Sequence, residues 1–145
     1  MRILVYGAGV LGCELAHVLL QNKKNDVTLL ARGEWKERID QKGLVIRQWA
    51  QRKTTVDRVR TIDVLAPEDF YDLVFVVLQA GQLPDVLPVL KANRSPYFVF
   101  VGNDPHAKQV LEACSAQPTR SPLASRTPQA AGSATGWSVC TPVWA

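Results

Sequence analysis

At the start of the chain, the apolar residues follow the order strand, helix, strand. Residues 3–6 form an uninterrupted apolar run that is typical of a parallel strand covered on both faces, and the run stops at Gly7. Over residues 10–21 the apolar positions recur at helical spacing. A second apolar run covers residues 27–30 and predicts another buried strand. The pattern therefore predicts a βαβ unit.

The remaining apolar pattern predicts a larger α/β domain. Strands are predicted over residues 44–48, 54–59, 72–78 and 97–101, and helices over residues 34–41, 83–92 and 105–114. The strands over 44–48 and 54–59 are open to an antiparallel arrangement outside the main sheet, and Pro88 predicts a kink in its helix. Together these elements predict a Rossmann-type fold, with a mostly parallel sheet and helices on both faces.

The composition changes abruptly after Cys114. Residues 115–145 are rich in Ser, Thr, Pro and Ala, contain two arginines and no acidic residue, and lack any periodicity. Such a segment buries too little apolar surface to offset the entropy that it loses on ordering. We therefore expect a folded domain over residues 1–114 and a disordered or weakly attached tail over residues 115–145.

Charge and cysteine content narrow the function classes. The net charge is only +4, and acidic residues interleave with basic ones, so no basic stripe indicates a nucleic-acid partner. No apolar run is long enough for a membrane span, and glycines interrupt the N-terminal run where a secretory signal would continue. The three cysteines form no CxxC pair, which favours a reducing, cytoplasmic setting and predicts no metal site.

A glycine-rich turn connects the first strand to the first helix. Its residues, which fit G-x-G-x-x-G, are Gly7, Ala8, Gly9, Val10, Leu11 and Gly12. Gly7 allows a tight turn, Gly9 lets the backbone approach a pyrophosphate, and Gly12 lets the helix pack closely on the strand. The helix N-terminus offers free N–H groups to phosphates. A turn that merely connects two elements is the alternative, but the surrounding βαβ pattern favours dinucleotide binding.

The residue after the second predicted strand indicates which dinucleotide binds. A site for NAD usually places an acidic residue there, to bind the ribose 2′-hydroxyl. This chain has Arg32, whose planar guanidinium suits a 2′-phosphate and favours NADP. A solvated surface arginine is the alternative, and Glu34 is close enough to pair with Arg32 or to act as a substitute acid.

With these features, residues 1–114 resemble the N-terminal domain of the ketopantoate reductase (2-dehydropantoate 2-reductase) family. The matching segments are residues 3–12, 30–32, 77–82 and 101–104. Gln79 occupies the position where the family often has lysine, and Asn103 matches the asparagine beside nicotinamide and substrate. Gly102 and Asp104 replace the histidine and glycine of the family's H-N-G turn.

The resemblance implies a role in pantothenate biosynthesis, in which NADPH reduces a 2-keto acid. In the family a C-terminal helical domain supplies the catalytic lysine, the substrate-binding groups and most dimer contacts. We expect this chain to be a truncated cofactor-binding domain with no catalytic residue of its own, which meets a 2-keto acid only if that domain is supplied. The tail is hypothesised to be out of frame, because Pro122 to Trp137 can be back-translated into a segment similar to the family's G-F-P…D-G.

Other readings of the chain stay open. A stand-alone NAD(P)-binding sensor or partner-dependent module without catalysis is the main alternative, and a domain that binds nothing is another. His17 and His106 lack partners at metal-ligand spacing and are expected to be ordinary polar residues. Cys13 is expected to pack against the sheet, although the helix N-terminus could activate it. Trp35 and Trp49 are expected in the core or a lid, or stacked on an adenine.

Overall fold

The apolar runs of the sequence form the strands of one central sheet in the computed structural model, which describes residues 1–48, 53–102 and 137–140. The described strands are β1 (Arg2–Tyr6), β2 (Asp26–Leu30), β3 (Leu44–Gln48), β4 (Lys53–Asp57), β5 (Arg60–Ile62), β6 (Leu73–Val76), β7 (Phe98–Val101) and β8 (Trp137–Cys140). The described helices are α1 (Val10–Leu20), α2 (Gly33–Lys42) and α3 (Leu83–Ala92), and a 3₁₀ turn at Ala80–Gln82 precedes α3.

The order of the strands is that of a doubly wound sheet. The main sheet runs β5-β2-β1-β6-β7-β8, and its first five strands are parallel while β8 is antiparallel to β7. Strand β1 is central, so that Ile3 pairs with Val27 on one side and Leu73 on the other. The chain reverses its direction of winding between β1 and β6, where ligands of such sheets bind. The predicted Rossmann-type fold is confirmed.

Helices cover both faces of this sheet. Successive side chains of a strand point to opposite faces, so neighbouring residues of β1 belong to different parts of the core. Leu4 packs in the cluster that contains Leu90 of α3. Val5 packs in the cluster that contains Ala16 of α1 and Ile39 of α2. Each face of the sheet therefore contributes one apolar layer, and the helices follow from the periodicity of the sequence.

In the middle of the domain, the structure has three strands where the sequence predicts two. Strands β3 and β4 form a separate antiparallel hairpin, as the open alternative allowed. However, the strand predicted over residues 54–59 ends at Asp57, and the next three residues in regular structure, Arg60–Ile62, form β5 and pair with β2. The pattern missed β5 because a three-residue edge strand has too few positions to show a period, and its pairing with β2 is tertiary.

One short element belongs to the C-terminal segment. The backbone of β8 pairs with β7 from Val101↔Trp137 to Phe98↔Cys140, at a place where the sequence pattern predicts no strand. The predicted helix over residues 105–114 and the rest of the tail lie outside the described residues, so the domain boundary at residue 114 stays a prediction. None of the described helices combines the length and apolar character that crossing a membrane requires.

Candidate functional site

The glycine turn lies at the carboxyl end of β1, and two of its glycines are required by the protein's own packing. Gly7 has φ +118°, a backbone conformation that side chains disfavour. A Cβ atom built at Gly7 would lie 2.3 Å from the carbonyl oxygen of Val77, and one built at Gly12 would lie 1.9 Å from the carbonyl oxygen of Gly7. These two positions accept only glycine because backbone atoms already fill the space.

Gly9 differs from the other two glycines of the motif. Its φ of −73° is open to any residue, and a Cβ atom built there would meet nothing within 4 Å. The side chains that follow it also point away from the protein, since Val10 is 93% exposed and Leu11 is 54% exposed. Neither packing nor backbone strain therefore requires glycine at position 9, whereas a ligand that approaches the backbone closely would require it.

The N-terminus of α1 is electrostatically suited to an anion. Gly9 is the N-cap residue and has no side-chain cap, and the first intrahelical hydrogen bond runs from the Cys13 amide to the Gly9 carbonyl at 2.9 Å. The amides of residues 10–12 precede that bond, so they have no acceptor within the helix. The first turn also contains no acidic residue that would neutralise the positive end of the helix dipole.

Arg32 lies one strand away, at the beginning of α2. It is exposed, and its Nη2 donates a hydrogen bond to the hydroxyl oxygen of Tyr6 at 3.2 Å. Both side chains line a cleft of about 330 Å³ at the carboxyl ends of β1, β2 and β5. The lining residues are Tyr6, Arg32, Gly33, Asp63, Val64, Leu65 and Val89. The lining thus combines apolar side chains with the polar groups of Tyr6, Arg32 and Asp63.

Arg32 supplies the positive charge of this cleft. It is the only cation among the described residues that line the cleft. Lys36 of α2 is instead paired with Asp40 at 2.7 Å, an interaction that lowers the pKa of the Asp40 carboxyl. Within the described part of the chain, neither Glu34 nor Asp63 forms an ion pair with Arg32. The guanidinium therefore keeps its charge available to a ligand.

Of the predicted residues beyond the glycine turn, Arg32 and Gln79 are brought to the same edge of the sheet. Gln79 follows β6 and is exposed, and its backbone N–H donates a hydrogen bond to the side-chain Oε1 of Gln82 at 3.2 Å. The Val77 amide donates to the Tyr6 carbonyl at 2.9 Å, which joins the end of β6 to the beginning of the turn. Asn103 lies outside the described residues, directly after the exposed Gly102 at the end of β7.

The remaining candidates from the sequence make contacts within the protein itself or lie outside the described residues. The Cys13 thiol is buried and donates to the carbonyl oxygen of Ala8 at 3.4 Å, and burial raises its pKa while a hydrogen bond with Trp35 opposes that shift. His17 is buried, and its Nδ1 lies 2.5 Å from Oδ2 of Asp57 in β4. Trp35 is partly exposed on α2. His106 and Trp49 lie outside the described residues.

Part of the cleft was missed by the sequence analysis. Tyr6 ends the first apolar run, and the pattern predicts only that it belongs to that strand. Its polar end next to the glycine turn was the signal that could have identified it. Asp63 follows β5, a strand that the pattern did not predict, and Val89 reaches the cleft from the middle of α3. Among the described residues there is no group of three or more His, Cys, Asp or Glu side chains that could hold a metal ion.

Comparison with known proteins assigns a family to this arrangement. The profile of the family described as ketopantoate reductase PanE/ApbA matches residues 3–114, which is most of the chain. No curated protein matches the sequence significantly.

Solved structures share the fold. A protein described as a 2-dehydropantoate 2-reductase, from Enterococcus faecalis, superposes with a TM-score of 0.62 at 24% identity over 78% of this chain. D-mandelate dehydrogenase in a ternary structure with NADH and anilino(oxo)acetate superposes with a TM-score of 0.61 at 22% identity, again over 78% of this chain. The matched part covers 37% of each of these two proteins.

Proposed function

The chain belongs to the ketopantoate reductase PanE/ApbA family, and we propose that it is the NADP(H)-binding unit of a 2-keto acid reductase. In this proposal the turn from Gly7 to Gly12, including Ala8, Val10 and Leu11, holds the pyrophosphate through backbone amides. Arg32 binds the adenosine 2′-phosphate, and Gln79 and Asn103 border the ribose and the nicotinamide. The substrate is a 2-keto acid such as ketopantoate.

The pyrophosphate assignment is supported by the difference between the three glycines. Gly7 and Gly12 are explained by packing, but Gly9 faces open space at the N-terminus of α1. A methyl group at position 9 would stand where a bound pyrophosphate must approach the helix amides. Because those amides lack acceptors within the helix and no acid lies in the first turn, a phosphate anion complements them.

The observation that carries the choice of NADP is the position of Arg32 in the cleft. The exposed guanidinium lies at the carboxyl end of β2, where the adenosine ribose binds in this fold, and no described acidic side chain forms an ion pair with it. The fold alone does not decide between the cofactors, since a structural neighbour is a complex with NADH. A charged, planar donor next to the ribose favours a 2′-phosphate because it can form two hydrogen bonds with it.

Catalysis needs a further group. Reduction of a keto acid requires the nicotinamide and the carbonyl to be held together and an acid to protonate the developing alkoxide. Among the described residues, Gln79 follows β6 and Gly102 follows β7 at this edge, and neither an amide nor a glycine can act as that acid. We therefore assign cofactor binding to this chain, and hydride transfer to the chain together with a substrate-binding domain or partner. A nucleotide-binding module without catalysis is the second candidate, since neither of these two described residues supplies an acid.

A calorimetric titration tests the proposal. The purified chain is titrated with NADPH and with NADH, and the titrations are repeated on Arg32→Ala. We expect tighter binding of NADPH than of NADH, and a loss of about ten- to hundredfold in NADPH affinity in the variant, with little change for NADH. Arg60→Ala is the matched control, because it removes the same charge from the first residue of β5, which pairs with Thr28 in the middle of β2 and does not line the cleft.

The possible results separate the proposal from its alternatives. If the folded wild-type chain binds neither nucleotide, cofactor binding by this chain is refuted. If it binds NADH as tightly as NADPH, or if Arg32→Ala and Arg60→Ala behave alike, the assignment of Arg32 is refuted. Oxidation of NADPH with ketopantoate, followed by absorbance, then distinguishes a reductase from a binding module.

A further inference from the structure

Tyr6 places a polar group at the cleft from within the apolar core. It is the last residue of β1, it is only 2% exposed, and its ring packs in the same core cluster as Leu65 and Val76. Its hydroxyl oxygen nevertheless accepts a hydrogen bond from Arg32. A buried aromatic ring has little freedom to move, so the position of this hydroxyl is set by the sheet.

The partner of Arg32 is neutral, and this matters for binding an anion. A carboxylate in the same place would orient the guanidinium but would also cancel its charge. Asp63 lines the cleft too, yet it forms no ion pair with Arg32. A phenol holds the guanidinium and leaves its charge intact. It also reduces the freedom that the long arginine side chain would otherwise lose on binding a ligand.

The Tyr6 hydroxyl can also act as a hydrogen-bond donor. A phenol can accept and donate at the same time, and here the oxygen accepts from Arg32. Among the described residues, the bond from Arg32 is the one hydrogen bond found at this oxygen, and the hydroxyl donates none. The hydrogen is therefore available to a ligand oxygen beside the guanidinium.

We propose that Tyr6 determines cofactor selection in this chain: it orients Arg32 and donates its hydroxyl hydrogen to the adenosine 2′-phosphate. This inference rests on the proposed function, in which the cleft takes the adenosine end of NADP(H). It adds a second donor to the phosphate site, and it comes from the core of the sheet rather than from the turn after β2.

The test compares two ligands that differ only in the 2′-phosphate. The chain is titrated calorimetrically with 2′,5′-ADP and with 5′-AMP, and both titrations are repeated on Tyr6→Phe, which removes one oxygen and keeps the ring. We expect Tyr6→Phe to bind 2′,5′-ADP about tenfold or more weakly and to bind 5′-AMP like the wild type. A role in packing alone would leave the ratio of the two affinities unchanged.

Tyr71→Phe is the matched control. Tyr71 is also buried in the same core cluster, but it lies just before β6, at the amino edge of the sheet, and its ring is beside Arg2. Its replacement should leave the affinity ratio as in the wild type. Circular dichroism and urea unfolding establish that both variants are folded.

The outcomes distinguish this inference from the proposed function. If the wild type prefers 2′,5′-ADP and Tyr6→Phe keeps that preference, the role of Tyr6 is overturned while the NADP site stands. If the two phenylalanine variants change the ratio equally, the role of Tyr6 is also overturned. If the folded wild type shows no preference for 2′,5′-ADP, both the NADP site and the role of Tyr6 are overturned.

Discussion

Replacing Gly9 and Gly12 by alanine, one at a time, separates the glycine that serves the fold from the glycine that we propose serves a ligand. The two positions are three residues apart in one motif, and the added group is the same methyl. At Gly12 the new carbon would lie 1.9 Å from the Gly7 carbonyl oxygen, about 1.5 Å inside ordinary van der Waals contact, which begins at 3.4 Å. At Gly9 it would meet no atom within 4 Å.

These distances predict a large loss of stability for one variant and little change for the other. The backbone oxygen of Gly7 cannot rotate away, so α1 must move off β1, and overpacking of this kind should cost about 3 kcal/mol or more in the free energy of unfolding. Alanine at position 9 fits its φ of −73° without strain. Alanine restricts the unfolded chain more than glycine does, which stabilises by about 0.4–1 kcal/mol, but it is a poorer N-cap residue than glycine, so the stability should stay close to that of the wild type.

Cofactor affinity, in contrast to stability, should be lost on replacing Gly9. Gly9→Ala is expected to weaken the binding of NADPH at least tenfold, about 1.4 kcal/mol, although the variant is about as stable as the wild type. Urea unfolding followed by circular dichroism measures the stabilities, and calorimetry measures the affinity. Wild-type stability of Gly12→Ala would refute the packing argument. Wild-type NADPH affinity of Gly9→Ala would refute the argument that a ligand requires this glycine.

Three further predictions concern residues outside the cleft. Asn93 is 2% exposed, and its amide donates to the carbonyl oxygens of Ala66 and Asp69, so Asn93→Ala should lower the free energy of unfolding by about 2–4 kcal/mol, measured in urea, without changing NADPH affinity. Cys13 should react slowly with iodoacetamide at pH 8 in the native chain and rapidly in urea, because burial raises its thiol pKa; peptide mapping reads this residue alone, and equal rates would contradict its burial. A double-mutant cycle of His17→Ala and Asp57→Ala should give a coupling of about 1–3 kcal/mol at pH 7, whereas additive losses would mean that the pair does not fasten α1 to the hairpin.

Much of the fold follows from local patterns. The helix predicted over residues 83–92 coincides with α3, and the first predicted strand, helix and second strand match β1, α1 and β2 to within one residue at each end. These elements have enough residues for a period to emerge, and the glycine turn separates them clearly. The glycine motif and Arg32 could be recognised for the same reason, since each depends on its place after a strand.

The rest of the site could not be obtained in this way. β5 is too short to show a pattern, and without it Asp63 had no position relative to Arg32. The apolar pattern assigns Tyr6 only to its strand. Its contact with Arg32 joins residues that are distant in the chain, so a local pattern does not reveal it. Gly9 and Gly12 were assigned their roles by the motif, but only the neighbouring atoms reveal that Gly12 is fixed by the fold and Gly9 is not.

By itself, the sequence determined the family, the βαβ unit, the glycine turn and the basic residue after β2, because these depend on the order of residue types over short distances. The tertiary structure decided which strands are neighbours, that α3 and α1 lie on opposite faces, and that Tyr6, Arg32 and Asp63 share one cleft. The physical reason is that a cleft forms where the carboxyl ends of separate strands meet, and the pairing of those strands is set by burial across the whole sheet.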